Sequence, residues 1–194
     1  EELMLRPFAP FEYSLTAASE LLSAEMANFK EVSFTGLTHI DSHIEPGDIF
    51  LAFPGAKVHG AQFIESAQSR GAVAVLTDHE GAKLSKDLPT LIVTNAREAG
   101  AMLAASFYRS PIRDMQSIGI TGTNGKTTVT TLLYQIFSRI GREAGLIGTV
   151  ENRIGADRIK SDRTTPEAPD LQALAAVMRE RHMRHLVMEV SSHS

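Results

Sequence analysis

The chain has 194 residues, 43% of them apolar and 22% charged, with 19 Lys and Arg against 23 Asp and Glu for a formal net charge of −4. That is enough apolar material for a real core in one large domain or two small ones, and the mild acidity argues against a general binder of nucleic acid or anionic membrane. Cysteine is absent, which excludes disulfides, thiolate metal sites and a cysteine nucleophile and fits a reducing compartment.

Residues 14–28 carry Leu15, Ala18, Leu21, Leu22 and Met26 at helical spacing behind Ser14, a suitable N-cap. Val32–Thr38 is β-branched and aromatic and reads as one strand. Pro46-Gly47-Asp48 turns the chain into a second strand, Ile49–Phe53, closed by Pro54-Gly55. A helical stretch at 60–70 leads to Ala72–Leu76, a continuous apolar run of the kind buried on both faces of a parallel sheet. Thr90–Thr94 repeats that pattern, and 97–109 reads as helix. Strands alternating with helices indicate an α/β domain. Ser110-Pro111 breaks the chain, and Ile118-Gly119-Ile120 opens a second α/β unit. This unit reads as strand, glycine-rich turn, helix 126–140, strand 145–150, a turn-rich excursion 151–165, helix 166–181 and strand 185–190. The expected domains are therefore 1–113 and 114–194. The longest uncharged run is the 12 residues between Lys126 and Arg139, against roughly 18 to 20 for a spanning helix. Glu1-Glu2-Leu3-Met4 lacks the character of a secretory signal. Neither membrane insertion nor nucleic-acid binding is expected, and the location expected is cytoplasmic.

The most informative stretch is Gly119-Ile120-Thr121-Gly122-Thr123-Asn124-Gly125-Lys126-Thr127-Thr128. A strand runs into glycines that let backbone N–H groups close around phosphate oxygens, and the following helix directs its positive end there. In such a loop Gly122, Thr123, Asn124, Gly125, Lys126, Thr127 and Thr128 cradle the nucleotide, Lys126 reaches the β/γ-phosphates and the Thr127 hydroxyl ligates Mg²⁺. Ile120 stands where the general Walker pattern has glycine, so the loop is a compact form. The bland alternative is a mere turn with a solvated Lys126; strand before, helix after and Gly-Lys-Thr in register favour a nucleoside triphosphate site.

This compact loop resembles that of the Mur ligases and their folylpolyglutamate synthetase relatives, ATP-dependent enzymes that form amide bonds through acyl phosphates. Gly148-Thr149-Val150, Thr164-Thr165-Pro166-Glu167 and Met188-Glu189-Val190-Ser191-Ser192-His193 narrow the likeness. They point to the branch of the Mur ligase family that adds the third, diamino-acid residue (lysine or meso-diaminopimelate) to UDP-N-acetylmuramoyl-L-alanyl-D-glutamate in peptidoglycan synthesis. Ile40-Asp41-Ser42, Pro46-Gly47-Asp48-Ile49-Phe50-Leu51-Ala52 and Pro54-Gly55 are similar to that family's uridine-binding domain. The resemblance thus implies an N-terminal α/β uridine-binding domain followed by the first part of a P-loop α/β ATPase domain, with ATP and Mg²⁺ as cofactors.

The remaining sites divide between local and functional readings. Thr165 reads as an N-cap with Pro166 at the first helical position, while the resemblance has Thr164 and Thr165 contact the UDP-muramoyl peptide. Glu189 ends an apolar strand where ligands of open α/β sheets collect, either as a Mg²⁺ ligand beside Thr127, with Lys126 its catalytic partner, or as a capped strand-end carboxylate. By resemblance Ser191 touches substrate, and Ile40, Ser42, Ala56, Lys57 and Val58 lie at its uracil-ribose end. His43 stands where the family usually has arginine. His39, Asp41 and His43 alternate and would share one face of a strand, a weak hint of a metal site.

The resemblance implies that the substrate's D-glutamate carboxylate attacks the ATP γ-phosphate and that the acyl phosphate is captured by the diamino acid. Two rivals stand beside it: a non-catalytic fragment that binds nucleotide and UDP-sugar, and another ligase of the family such as the one that adds D-alanyl-D-alanine. A small P-loop kinase is disfavoured because a domain similar to a uridine-binding one precedes the loop. After Lys126 only 68 residues follow, fewer than a covered sheet needs, so the chain is expected to be truncated and not a competent ligase alone.

Overall fold

A computed structural model describes residues 6–8, 11–155, 157–161 and 164–191. The chain forms two compact units, one ending at Arg109 and the other running from Ser110. The change comes before the expected residue 113, because the 3-10 turn Pro111–Asp114 sets Ile112 against the core of the second unit.

In the first unit, β1 (Tyr13–Ser14) leads into α1 (Leu15–Leu22), where the Ser14 hydroxyl accepts from Ala17 N–H at 3.1 Å as the expected cap. The helix stops well short of residue 28. Ser23 is left-handed (φ 50°), and the chain re-emerges as β2 (Glu25–Ala27). The expected strand 32–38 is two pieces, β3 (Ser33–Phe34) and β4 (Gly36–Thr38), which pair with different partners: β3 with β1, β4 with its successor. There follow β5 (Asp48–Leu51), α2 (Ile64–Ser69), β6 (Ala74–Thr77), α3 (His79–Ala82), β7 (Thr90–Ile92) and α4 (Ala96–Phe107). The main sheet has the order β2-β7-β6-β5-β4, parallel except for β2. β5 and β6 are buried at every residue, as central strands with both faces covered must be. Helix α4 buries Ala96, Ala99, Gly100, Leu103, Ala104 and Phe107, one apolar stripe at helical spacing, behind an Asn95 cap.

The second unit consists of β8 (Gln116–Ile120), α5 (Lys126–Arg139), β9 (Ala144–Ile147), β10 (Glu151–Ile154), β11 (Asp157–Lys160), α6 (Ala168–Glu180) and β12 (His185–Glu189). Its sheet runs β11-β10-β9-β12-β8, with β9, β12 and β8 parallel. The excursion expected at 151–165 is instead largely an antiparallel hairpin, Ile154 opposite Asp157, turning at Gly155. The core gathers Ile147, Ile154, Leu174, Val177, Met178 and Leu186, mostly from α6 and the central strands. Among the described residues no helix is long and apolar enough to cross a membrane.

Candidate functional site

Parallel pairing places the second unit's site. Glu189 sits in register with Ile120 on β8, and Met188 with Ile147 on β9, so β12 ends beside the start of the glycine-rich loop and beside Gly148. All three strands point their carboxyl ends the same way, toward the edge where open α/β sheets bind ligands. The loop 121–125 is exposed and bends through Gly122 (φ 139°) and Gly125 (φ 81°), values that side chains with a Cβ rarely adopt. Gly125 opens α5 without a side-chain cap, which leaves the first-turn N–H groups of Lys126, Thr127 and Thr128 for an anion. The Lys126 ammonium folds back to donate to the Gly122 carbonyl at 2.6 Å, so the cation already lies over the loop.

Glu189 is only 2% exposed. Its Oε1 accepts from Thr149 N–H at 3.1 Å, and its Oε2 accepts from the hydroxyls of Thr149 at 2.8 Å and Thr127 at 3.1 Å. The two residues expected to share a cation, 62 positions apart, are thus in direct contact. A buried carboxylate met by neutral donors and, among the described residues, by no cationic side chain is a hard-oxygen site suited to a divalent cation.

The threonine pair does not cap α6. The helix begins at Ala168 with Glu167 at the cap position and Pro169 in its first turn. Thr165 instead fastens the end of β12, its hydroxyl donating to the Glu189 carbonyl at 3.1 Å and accepting from Ser191 N–H at 2.9 Å. Thr164 lies 3.1 Å from the Thr149 hydroxyl. The fold therefore gathers Thr127, Thr164, Thr165, Glu189 and Ser191 and adds Thr149, which sequence reasoning singles out only as part of a string. Ser192 and His193 lie outside the described residues.

In the first unit, Ile40 and Ser42 follow β4, and Ala56, Lys57 and Val58 follow β5, its parallel neighbour, so both loops leave the same end of the sheet. Asp41–His43 is a 3-10 turn, so the alternation that suggested a metal face does not apply; Asp41 accepts from the Ser66 hydroxyl at 2.7 Å. No cluster of three metal-ligating side chains occurs among the described residues. Ser42 and the loop 56–58 are exposed. Sequence reasoning misses what anchors that loop. Arg97 donates to the Pro54 carbonyl at 3.0 Å and lies 5.2 Å over the Phe53 ring. His59, bridged to Pro54, accepts from Ala61 N–H at its Nδ1, and its Nε2 lies 3.0 Å from Asp78 Oδ1. Burial pushes the Asp78 carboxyl up, but the Gly81 N–H, the hydrogen bond and charge of His59 and the Glu80 N–H outweigh it and hold the group below its ordinary 3.8.

These features define a P-loop α/β unit with a second open-sheet α/β unit before it. The family model described as Mur ligase middle domain matches residues 120–194, and that described as Mur ligase family, catalytic domain, matches 34–108; the chain belongs to the Mur ligase family. It is 50% identical over 192 residues to the UDP-N-acetylmuramoyl-L-alanyl-D-glutamate--2,6-diaminopimelate ligase of Streptomyces avermitilis, covering 97% of this chain and 38% of that protein. The chain thus spans less than half the length of the curated relatives it matches. The crystal structure of MurF from Acinetobacter baumannii matches with a TM-score of 0.67 at 18% identity, over 96% of this chain and 37% of that one. A structure of a UDP-N-acetylmuramoyl-L-alanyl-D-glutamate--2,6-diaminopimelate ligase matches with a TM-score of 0.64 at 25% identity, over 82% of this chain and 32% of that one.

Proposed function

We propose that this chain carries the nucleotide-binding and UDP-muramoyl-peptide-binding parts of a cytoplasmic, ATP-dependent ligase that adds a diamino acid to UDP-N-acetylmuramoyl-L-alanyl-D-glutamate in peptidoglycan synthesis. The observation that carries the reading is the meeting of Thr127 and Glu189 at the mouth of the glycine-rich loop, with Thr164 and Thr165 held beside them. The names of the relatives favour 2,6-diaminopimelate as the diamino acid. In this reading residues 1–113 bind the uridine end of the substrate through Ile40, Ser42 and Ala56–Val58, and 114–194 open the nucleotide domain.

Gly122 to Thr128 wrap the phosphates with backbone N–H groups, and Lys126 leaves the Gly122 carbonyl for the β/γ-phosphate oxygens. Thr127 and Glu189 would hold Mg²⁺, which would supply positive charge to neutralise the phosphates. Thr164, Thr165 and Ser191 orient the muramoyl peptide so that its D-glutamate side-chain carboxylate attacks the γ-phosphorus and ADP leaves. The amino group of the diamino acid then attacks the acyl carbon of the acyl phosphate, forming the amide and releasing inorganic phosphate and a proton. The protein's part in the first step is positioning and charge neutralisation, with no covalent work.

The test is calorimetric binding of a non-hydrolysable ATP analogue and of the UDP-muramoyl dipeptide, together with phosphate release. Lys126→Ala is expected to weaken nucleotide binding about 10- to 100-fold, the equivalent of a lost charge-assisted contact, with an unchanged circular dichroism spectrum. Parental nucleotide affinity in that variant would overturn the assignment of the loop. Phosphate release that requires the UDP-muramoyl dipeptide separates a ligase from a kinase, and binding of both ligands without product favours a non-catalytic module.

A further inference from the structure

The hydroxyl of Thr149 has one proton and two close oxygen neighbours, Glu189 Oε2 at 2.8 Å and Thr164 Oγ1 at 3.1 Å. A carboxylate is the stronger acceptor and the nearer one, so the proton favours Glu189. The contact with Thr164 runs the same way, Thr149 donating and Thr164 accepting, so one proton faces two acceptors. Glu189 and Thr164 thus compete for the single hydroxyl proton of Thr149. Thr164 accepts in this contact, so its own proton remains to be donated to a ligand.

Thr149 also donates its backbone N–H to the other oxygen of Glu189 at 3.1 Å. The hydroxyl of Thr127 is the third donor to this carboxylate. Were Thr127 to turn its oxygen to a cation, its proton would point away, leaving the two donors of Thr149 to hold Glu189. The local sequence makes this possible: Gly148 precedes Thr149, and a Cβ there would lie 2.7 Å from Glu189 Oε1.

We propose that Thr149 is a positioning residue that aims the Glu189 carboxylate at the cation of the bound nucleotide and, by offering one hydroxyl proton to both Glu189 and Thr164, leaves Thr164 to donate its own proton to an oxygen of the UDP-muramoyl peptide, so that the two ligands bind cooperatively. This rests on the ligase reading above and adds to it the residue through which the two ligand sites communicate. Energetic coupling needs a physical element that both ligands bias, and the Thr149 proton shared between Glu189 and Thr164 is that element.

The test uses the 194-residue chain with three variants. Thr149→Val keeps the backbone N–H and the shape but removes the hydroxyl, and Thr149→Ser restores the hydroxyl. Thr149→Ala replaces the valine variant if that one does not show the parental thermal melt. Calorimetric titration with Mg²⁺ in the presence of the non-hydrolysable ATP analogue is expected to give about 10- to 100-fold weaker cation affinity in Thr149→Val, the usual loss when a partner of a ligating group is removed. In the parent and in Thr149→Ser, the affinity for the UDP-muramoyl dipeptide should rise when Mg²⁺ and nucleotide are bound; in Thr149→Val that rise should vanish. Parental cation affinity and parental coupling in Thr149→Val would overturn the proposal and leave the ligase reading standing. A parent that binds neither nucleotide nor UDP-muramoyl dipeptide would overturn the reading on which it rests.

Discussion

Gly148→Ala probes the register that builds the site. The backbone of Gly148 is outside the left-handed region, so alanine costs nothing in φ and the effect comes from space alone. The new Cβ would lie 2.7 Å from Glu189 Oε1, about 0.7 Å inside an ordinary contact of 3.4 Å. Glu189 is buried and held by three donors, so it cannot swing freely into solvent. Moving Oε1 by that amount away from residue 148 carries it off Thr149 N–H, now at 3.1 Å and near the 3.5 Å limit of a hydrogen bond. Losing one hydrogen bond to a buried charged group costs about 2 kcal/mol, which at a urea slope of about 2 kcal/mol per M lowers the unfolding midpoint by about 1 M. Cation-dependent nucleotide binding should fall with it. Gly119→Ala is the control: its Cβ would approach Val190 Cγ2 at 3.1 Å and nothing else within 4 Å, so stability should stay within about 0.5 kcal/mol of the parent. A parental midpoint and parental cation-dependent binding in Gly148→Ala would refute the claim that Gly148 makes room for Glu189.

Asp78→Asn keeps an oxygen for Gly81 N–H but removes the charge. Because the folded carboxyl is held below its unfolded value, its contribution is present at neutral pH and is lost as pH falls through the region below 3.8. Urea midpoints of parent and variant should differ at pH 6 and converge toward pH 3; a difference that stays constant would refute the pairing. Gly100→Ala sets two effects against each other in α4: a gain of about 1 kcal/mol in helix propensity and an overpacking cost of about 1–3 kcal/mol. The Cβ would lie 2.5 Å from Phe53 Cζ and 2.7 Å from Cε1, and Phe53 is 7% exposed between the His39 ring and the Arg97 guanidinium. Net destabilisation of about 1 kcal/mol is expected, with weaker binding of the uridine ligand proposed for the loop 54–58, into which Phe53 leads. A more stable variant would show that Phe53 yields easily.

Features carried by contiguous residues are legible in the amino-acid order. The loop 122–128 announces itself because its chemistry depends on glycines, a lysine and hydroxyls at short fixed spacing. The Ser14 cap likewise depends only on a residue three positions on. Thr165 misleads for the same reason: a Thr-Pro pair before a helix satisfies the local rule for a cap, while its actual partners are 24 and 26 residues away. The hairpin of β10 and β11 escapes notice because β11 is an exposed edge strand without a continuous apolar face. β2 escapes because three residues become a strand only by pairing with β7.

By itself, then, the amino-acid order determined the alternation of strands and helices, the phosphate loop, and the candidates Lys126, Thr127 and Glu189. Only the tertiary structure decided that Thr149 and Thr164 gather with Thr127 around Glu189, and that the loops bearing Ser42 and Lys57 leave one end of the sheet. The physical reason is register. Parallel pairing of β9, β12 and β8 aligns residues 40 and 62 positions apart to within a hydrogen bond, and no local pattern records which strand will lie beside which.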